Sequence, residues 1–506
     1  MQQSTQQIAD IKAASVVAGE AAKETETQTQ TKSIHSIDMS HRRVAGEEIG
    51  NPSSSTGESS FSPLEIEEPN LSLDENNNVI SNDYDESELV NPLVGKSIGN
   101  LEKVPSDPNF ADGDHHGAGS PGSAATPQVI VNIIISFVGA GLLAVPNAFS
   151  QSGWLLGTVT LLTVSALNIY AMLCLPQVQV LLQKRHPTET IQSYGDLGRV
   201  ILGKRGEQVI FVCLGISQAG FATAYIIFIA ANLRSIYGWS RLAICAGCVP
   251  GLMGLVQFKE LSSLSPFSLL ANTANFCALS AVLFQDYENY TPHNDSIHKA
   301  NPEGILQVIA ITIYSMEGVG LVLSLKSSCK RPQDFSFLLI ATLSVISVFM
   351  VVFGSAGYWA FGSVTAAPIT LNMANTWSAG FVKCALCLGL YLTFPVMMFP
   401  IWNIVEYPDM PAKRRKILRC SIVMCSATVA YLIPNFGKFL ALVGASICTL
   451  LGFVFPSYFH LYAVGKDLPL REKALDIFLL VGGLSFGSFK TFHSIKDMLA
   501  GELEGH

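Results

Sequence analysis

Glu317 stands in the middle of the apolar run QVIAITIYSMEGVGLVLSL and is the only acidic residue read as lying deep in any such run. A carboxylate buried in a stretch of that length is costly, so it is expected to be neutral, paired or functional. Gly318 and Gly320 follow it directly. A second run, VNIIISFVGAGLLAVPNAF, carries Gly139, Gly141 and Pro146 in its middle and end. Glycine and proline there interrupt the helix. Unwound backbone offers free N–H groups to an anionic carboxylate and free carbonyls to an ammonium or a cation. A zwitterion such as an α-amino acid needs both. The alternative is that these glycines only let helices pack closely.

Other near-matches to chemical motifs do not hold up. Gly198-RVIL-Gly203-Lys204-Arg205 has Arg where a phosphate-binding loop needs Ser or Thr, and no strand leads into it. Gly139-Ala-Gly141-Leu-Leu-Ala144 approaches a dinucleotide fingerprint but lies inside an apolar run. Cys245-x-x-Cys248 and Cys384-x-x-Cys387 have metal or redox spacing, yet both sit in apolar stretches, where soft small side chains pack. His115-His116 lie in a polar arm. No catalytic centre, metal site or cofactor motif is visible, which argues against an enzyme; a membrane enzyme would need more polar groups near Glu317. Asn132, Asn272 and Asn275 are expected to bridge helices, and Thr393, in LYLTFPVMMFP, is a candidate cation or substrate ligand.

The elements that must position these residues follow from composition. Charged residues are 14% of the 506 and apolar residues 49%, with a mean hydropathy of +0.37. An average soluble protein carries about 25% charged residues. Residues 1–126 hold 7 Lys+Arg against 21 Asp+Glu; the remainder holds 24 against 18. The arm, with runs such as TETQTQT and NPSSSTGESS, cannot bury enough surface to offset its chain entropy and is expected to be disordered. It shows no basic n-region followed by an apolar one, so no cleavable signal is expected. Asp85-ESE-Leu89-Val90 within it resembles an acidic sorting signal.

From Pro127 onward eleven segments of membrane-spanning character recur: about 128–149, 154–182, 207–233, 241–257, 264–285, 304–324, 335–359, 379–402, 417–434, 437–464 and 474–492. None alternates as barrel strands would. The expected fold is an all-α polytopic membrane protein over 127–506. The glycine-broken runs are the first and sixth spans, opening two successive sets of five, with one helix over. Basic residues divide 17 to 7 between the two sets of loops, which places the N-terminus in the cytosol. The sequons at Asn289 and Asn294 then fall on the opposite side.

FVGAGLLAVPNAF-x-x-x-GW, SYGDLG, YSMEGVGLVLSL, GYWAFG with the following TLN, and LIPNFGKFLALVGAS-x-C occur in this order. Together they resemble the amino acid/auxin permease family, in its vacuolar amino acid transporter branch, over about residues 127–495. The resemblance implies a LeuT-like fold with a 5+5 inverted repeat and secondary transport of neutral amino acids across a vacuolar or lysosomal membrane, with the plasma membrane as an alternative. It implies a substrate bed at Ser136, Gly139, Ala140, Gly141 and Leu142 of span one and at Tyr314, Met316, Glu317 and Gly318 of span six. Four positions depart from the family pattern. Met316 replaces a Phe, and Leu323-Ser-Leu-Lys326 replaces Leu-Pro-Leu-Glu. Ile135 replaces an Asn of sodium-coupled relatives, which leaves the proton as the expected driver, with Glu317 and Thr393 as coupling candidates. The expected partners are an amino acid, the proton and the bilayer, with no cofactor or nucleic acid. A nutrient sensor of the same fold, signalling through its arm, is the rival reading.

Overall fold

The structure is a computed structural model. It describes Gly122 and the backbone over 125–503, apart from 138, 259–264, 289–296, 375, 408 and 466–467; side chains are described over the same residues except 265–275, 288 and 499–503. The expectations for the acidic arm and for Asn289 and Asn294 lie outside these residues, as do the side chains of Asn272 and Asn275.

Among the described residues all regular structure is helical. The first apolar run forms α1 (Thr126–Phe137), a tight 3-10 turn at Ala140–Ala144, and α2 (Val145–Ser152), bent by 46° at the break. There follow α3 (Trp154–Arg185), α4 (Tyr194–Tyr237), α5 (Arg241–Leu255) and α6 (Ser265–Glu288). The second interrupted run gives α7 (Ile305–Ser315), a 3-10 turn at Val319–Leu321, and α8 (Val322–Ser328). Then come α9 (Phe335–Phe361), α10 (Trp377–Val405) and α11 (Ala412–Leu432). The next run is α12 (Phe436–Val443), two wide π turns at Gly444–Cys448 and Leu450–Val454, and α13 (Phe455–Val464). The last is α14 (Leu470–Leu503).

Helix occupies all eleven expected stretches. Seven of the described helical runs are long and apolar enough to cross a membrane, and the bent α1–α2 pair makes an eighth. α5 has only 15 residues, and α11 starts on Lys413, Arg414, Arg415 and Lys416, which explains why they fall short of that test. Large apolar side chains such as Phe337, Val345, Phe381 and Phe492 stand exposed, as lipid-facing residues must.

The sequence motifs fold as caps and close approaches. Ser193 and Asp196 of SYGDLG form a reciprocal capping box at the start of α4. The buried Tyr194 between them donates its hydroxyl to Leu451 O at 2.9 Å, tying that cap to the second π turn. The loop that mimics a phosphate site is a kink within α4, where Gly203 takes φ +72°. In GYWAFG, a Cβ on Gly357 would come within 2.8 Å of Pro146, so α9 packs directly on the start of α2. Asn435 of the LIPNFG segment caps α12 by accepting from the Lys438 amide at 3.0 Å. α14 lies against the π turns, with Gly487 close enough to Ala445 that a Cβ would stand 3.0 Å from its carbonyl oxygen.

Candidate functional site

The two interrupted helices meet break to break. A Cβ on Gly141 would overlap Ser315 Oγ and lie 2.9 Å from Tyr314 Cδ1. A Cβ on Gly318 would overlap the ring of Phe137 and lie 2.7 Å from its Cε1. Each break therefore leans on the other through a glycine, and packing and interruption turn out to be one feature. Tyr314 is buried and meets Phe221 of α4 edge-to-face with ring centroids 4.8 Å apart. Gly444 in the first π turn touches the Ala310 carbonyl and stands so close that a Cβ would lie 3.0 Å from Tyr314 Cβ.

Past Ser315 the backbone leaves the α conformation at Met316 and turns at Gly318 before resuming in the 3-10 turn. The turn sends Glu317 to another side of the helix. Its side chain is 9% exposed, and Oε2 has no hydrogen-bond partner among the described residues. Facing it is Asn168 of α3, fully buried, whose Nδ2 donates to Met316 O at 3.5 Å while Oδ1 is unpartnered. Gly452 of the second π turn closes the third side. A Cβ there would stand 3.7 Å from Glu317 Oε2 and 4.0 Å from Asn168 Nδ2.

Of the other expected site residues, Ala140, Leu142 and Met316 are buried around the breaks, and Gly139 is exposed with open space where a Cβ would point. Ser136 donates its hydroxyl to Asn132 O of its own helix at 2.7 Å. Thr393 does the same with Gly389 O at 2.8 Å, on a helix whose main neighbours are α4, α5 and α6. The cysteines are free thiols, and both Cys-x-x-Cys pairs are helical turns of α5 and α10.

Several charges read from the sequence as solvated or absent are structural. Glu317 is not the only deep acid: Asp476 of α14 is fully buried, with Tyr170 donating to it at 3.0 Å and His460 Nδ1 at 2.7 Å. Cys174 lies beside this pair, and Cys174, His460 and Asp476 form a compact group with metal-ligand chemistry, their donor atoms within 4.8 Å of one another. The hydroxyl, imidazole and carboxylate already satisfy one another there. Lys383, counted among loop cations, is buried in α10 and donates to Ser235 Oγ at 3.3 Å. Arg419, counted in a basic loop cluster, is buried and forks onto Glu406 while donating to Val256 O at 2.6 Å and Phe258 O at 3.0 Å. Lys326 reaches across to Gln179 Oε1 of α3 at 2.9 Å. None of these is signalled by spacing, because each partner lies well beyond a helical turn away in the chain.

A polar cavity of about 440 Å³ opens where α2, α7, α12 and α14 converge, lined among others by Gln151, Glu303, Gln307, Lys438 and Lys490. No residue of either break lines it.

A helical membrane protein whose two interrupted helices touch at their breaks, beside a buried unpaired carboxyl group, has the build of a solute carrier. The family model described as transmembrane amino acid transporter protein matches residues 122–496, and the chain belongs to that family. Amino acid transporter AVT3A of Arabidopsis thaliana is 33% identical over 386 residues, covering 74% of this chain and 90% of that protein. Vacuolar amino acid transporter 3 of Saccharomyces cerevisiae is 25% identical, covering 74% of this chain and 57% of that one. Among solved structures, a Na+-coupled sialic acid symporter aligns with a TM-score of 0.43 at 11% identity, over 74% of this chain and 91% of the symporter.

Proposed function

We propose that the protein is a secondary active transporter that carries neutral amino acids across a vacuolar or lysosomal membrane, coupled to the proton gradient. The observation that carries this is the meeting of the two breaks, Gly141 on Ser315 and Gly318 on Phe137, with the unpaired Glu317 next to it. Interrupted backbone at the centre of two packed helices supplies N–H groups for a carboxylate and carbonyls for an ammonium. The substrate bed in this reading is Gly139–Leu142 with Tyr314 and Met316, whose apolar walls suit a neutral side chain. Two five-helix halves, opened by α1–α2 and by α7–α8, rearrange around it in alternating access, and α14 is the additional helix. The polar cavity at the outer end of α2 and α7 serves as the vestibule through which solute arrives or leaves.

Eleven membrane crossings, a cytosolic N-terminal arm and loops carrying Asn289 and Asn294 on the far side complete the reading; occupancy of those sequons in a microsomal glycosylation assay tests the orientation. The transport reading itself is tested by flux of labelled amino acids into proteoliposomes holding the full-length protein, with a substrate panel and the pH set on both sides. Accumulation of neutral amino acids that follows the pH gradient is the expected result. Binding without flux would mark a sensor instead.

A further inference from the structure

We propose that Glu317 and Asn168 form a site for a small monovalent cation between α3, the α7–α8 break and the second π turn, separate from the bed that holds the amino acid. The inference rests on the transport reading above and deepens it by adding Asn168, Gly452 and a location.

The break at 315–318 points its side chains two ways. Ser315 and Tyr314 face Gly141 and Phe221, toward α1–α2 and α4. Glu317 lies beside Asn168 and Gly452, toward α3 and the wide turns that precede α13. The carboxyl is thus not aimed at the backbone that would cradle a substrate carboxylate.

Beside it lies another orphan. Glu317 Oε2 and Asn168 Oδ1 are both acceptors, both at least nine-tenths buried, and neither has a hydrogen-bond partner among the described residues. Asn168 Nδ2 lies 3.5 Å from Met316 O, the outer limit of a hydrogen bond, which leaves Oδ1 as the bare acceptor of that amide. Two such acceptors left bare in an apolar interior cost free energy that one bound proton or alkali ion would recover. Gly452 borders both residues: a Cβ there would stand 3.7 Å from Glu317 Oε2 and 4.0 Å from Asn168 Nδ2, so only a longer side chain would fill the space beside them. The other titratable groups within electrostatic reach of Glu317 are the Tyr194 hydroxyl of α4 and the Cys448 thiol of the first π turn. Neither is a cation, and among the described residues no ion pair reaches Glu317. A cation that meets the ionised carboxylate would therefore come from solution.

The experiment uses full-length protein in proteoliposomes, comparing wild type with Asn168→Ala, Asn168→Asp and Gly452→Val. Labelled substrate uptake is measured against external pH at fixed sodium, and against sodium at fixed pH with choline as replacement. The expected result is that Asn168→Ala weakens the apparent affinity for the driving cation by about tenfold, the weight of one hydrogen bond to a charged group. Asn168→Asp should restore a cation dependence with an altered midpoint, and Gly452→Val should abolish it. Dependence on pH alone identifies the occupant as the proton, and dependence on sodium identifies an alkali ion. If Asn168→Ala instead raises the substrate KM and leaves the cation curve where it was, Asn168 belongs to the substrate bed and the separate site is overturned. Wild-type flux with no cation dependence overturns the site but not the transport reading, whereas wild-type protein that moves no amino acid overturns both.

Discussion

His460 Nδ1 and Asp476 Oδ2 stand 2.7 Å apart, although one lies in the middle of α13 and the other in the second turn of α14, and neither side chain is more than 2% exposed. Tyr170 reaches the other carboxylate oxygen from α3, so a single acid joins three helices. Removing the acid leaves the imidazole and the hydroxyl without their partner, at a cost of about 1–3 kcal/mol for each buried polar group. Asp476→Ala should therefore lower the unfolding free energy of the purified protein by roughly that amount, and Asp476→Asn, which keeps one acceptor, by less. A change in Asp476→Ala no larger than that of a surface substitution would show that the three helices do not depend on it.

Arg419 and Glu406 make a similar prediction at another junction. Arg419 forks onto Glu406, stacks 5.2 Å from the Trp402 ring centre and donates to two carbonyls beyond α5. Lysine cannot reproduce that planar fork. Arg419→Lys should destabilise by more than about 1 kcal/mol, the scale of several charge-assisted hydrogen bonds lost, whereas the same change at the exposed Arg414 should be silent in the same melting assay.

Gly141 and Gly139 separate packing from openness. A methyl at Gly141 overlaps Ser315, whereas a methyl at Gly139 meets nothing within 4 Å. Overfilling a packed contact costs about 1–3 kcal/mol. Thermal melts should show Gly141→Ala clearly less stable than Gly139→Ala, and Gly141→Val should abolish uptake while reaching the membrane. Equal melting of the two alanine variants would mean the breaks are not in contact.

Glu317→Gln tests the carboxyl as the group that exchanges protons. The amide keeps the size and much of the hydrogen-bonding of a neutral acid but cannot release a proton. Accumulation driven by a pH gradient should fall to the level seen without the gradient. Persistent pH-driven accumulation in this variant would move coupling to another group.

Much of the fold was legible because glycine, proline and unbroken apolar runs are local signals. The two interruptions and the order of helices rest on residues near one another in the chain. What local signals missed was chosen by tertiary contact. Asn168 is a lone amide in TVSALNIYAML, and only the neighbouring carbonyl of Met316 distinguishes it from an ordinary helix-bridging residue. Asp476 sits at the edge of its apolar run, where an acid looks solvated, until His460 and Tyr170 fold onto it. Arg419 was hidden by its company, five residues downstream of exposed Arg414 yet turned inward by helical periodicity.

The wide turns between Gly444 and Val454 set the rotational phase of everything after them. A π turn takes up one residue more than an α turn, and each residue of an α-helix advances about 100° around its axis. Rewinding one wide turn would rotate Ser457 and His460 by about that angle relative to α12. The same winding that presents Gly452 to Glu317 thus also aims His460 at Asp476. A single-residue deletion between 444 and 454 should turn α13 relative to α12 and disconnect the two, so this stretch holds the angular key between the centre of the molecule and its last helix.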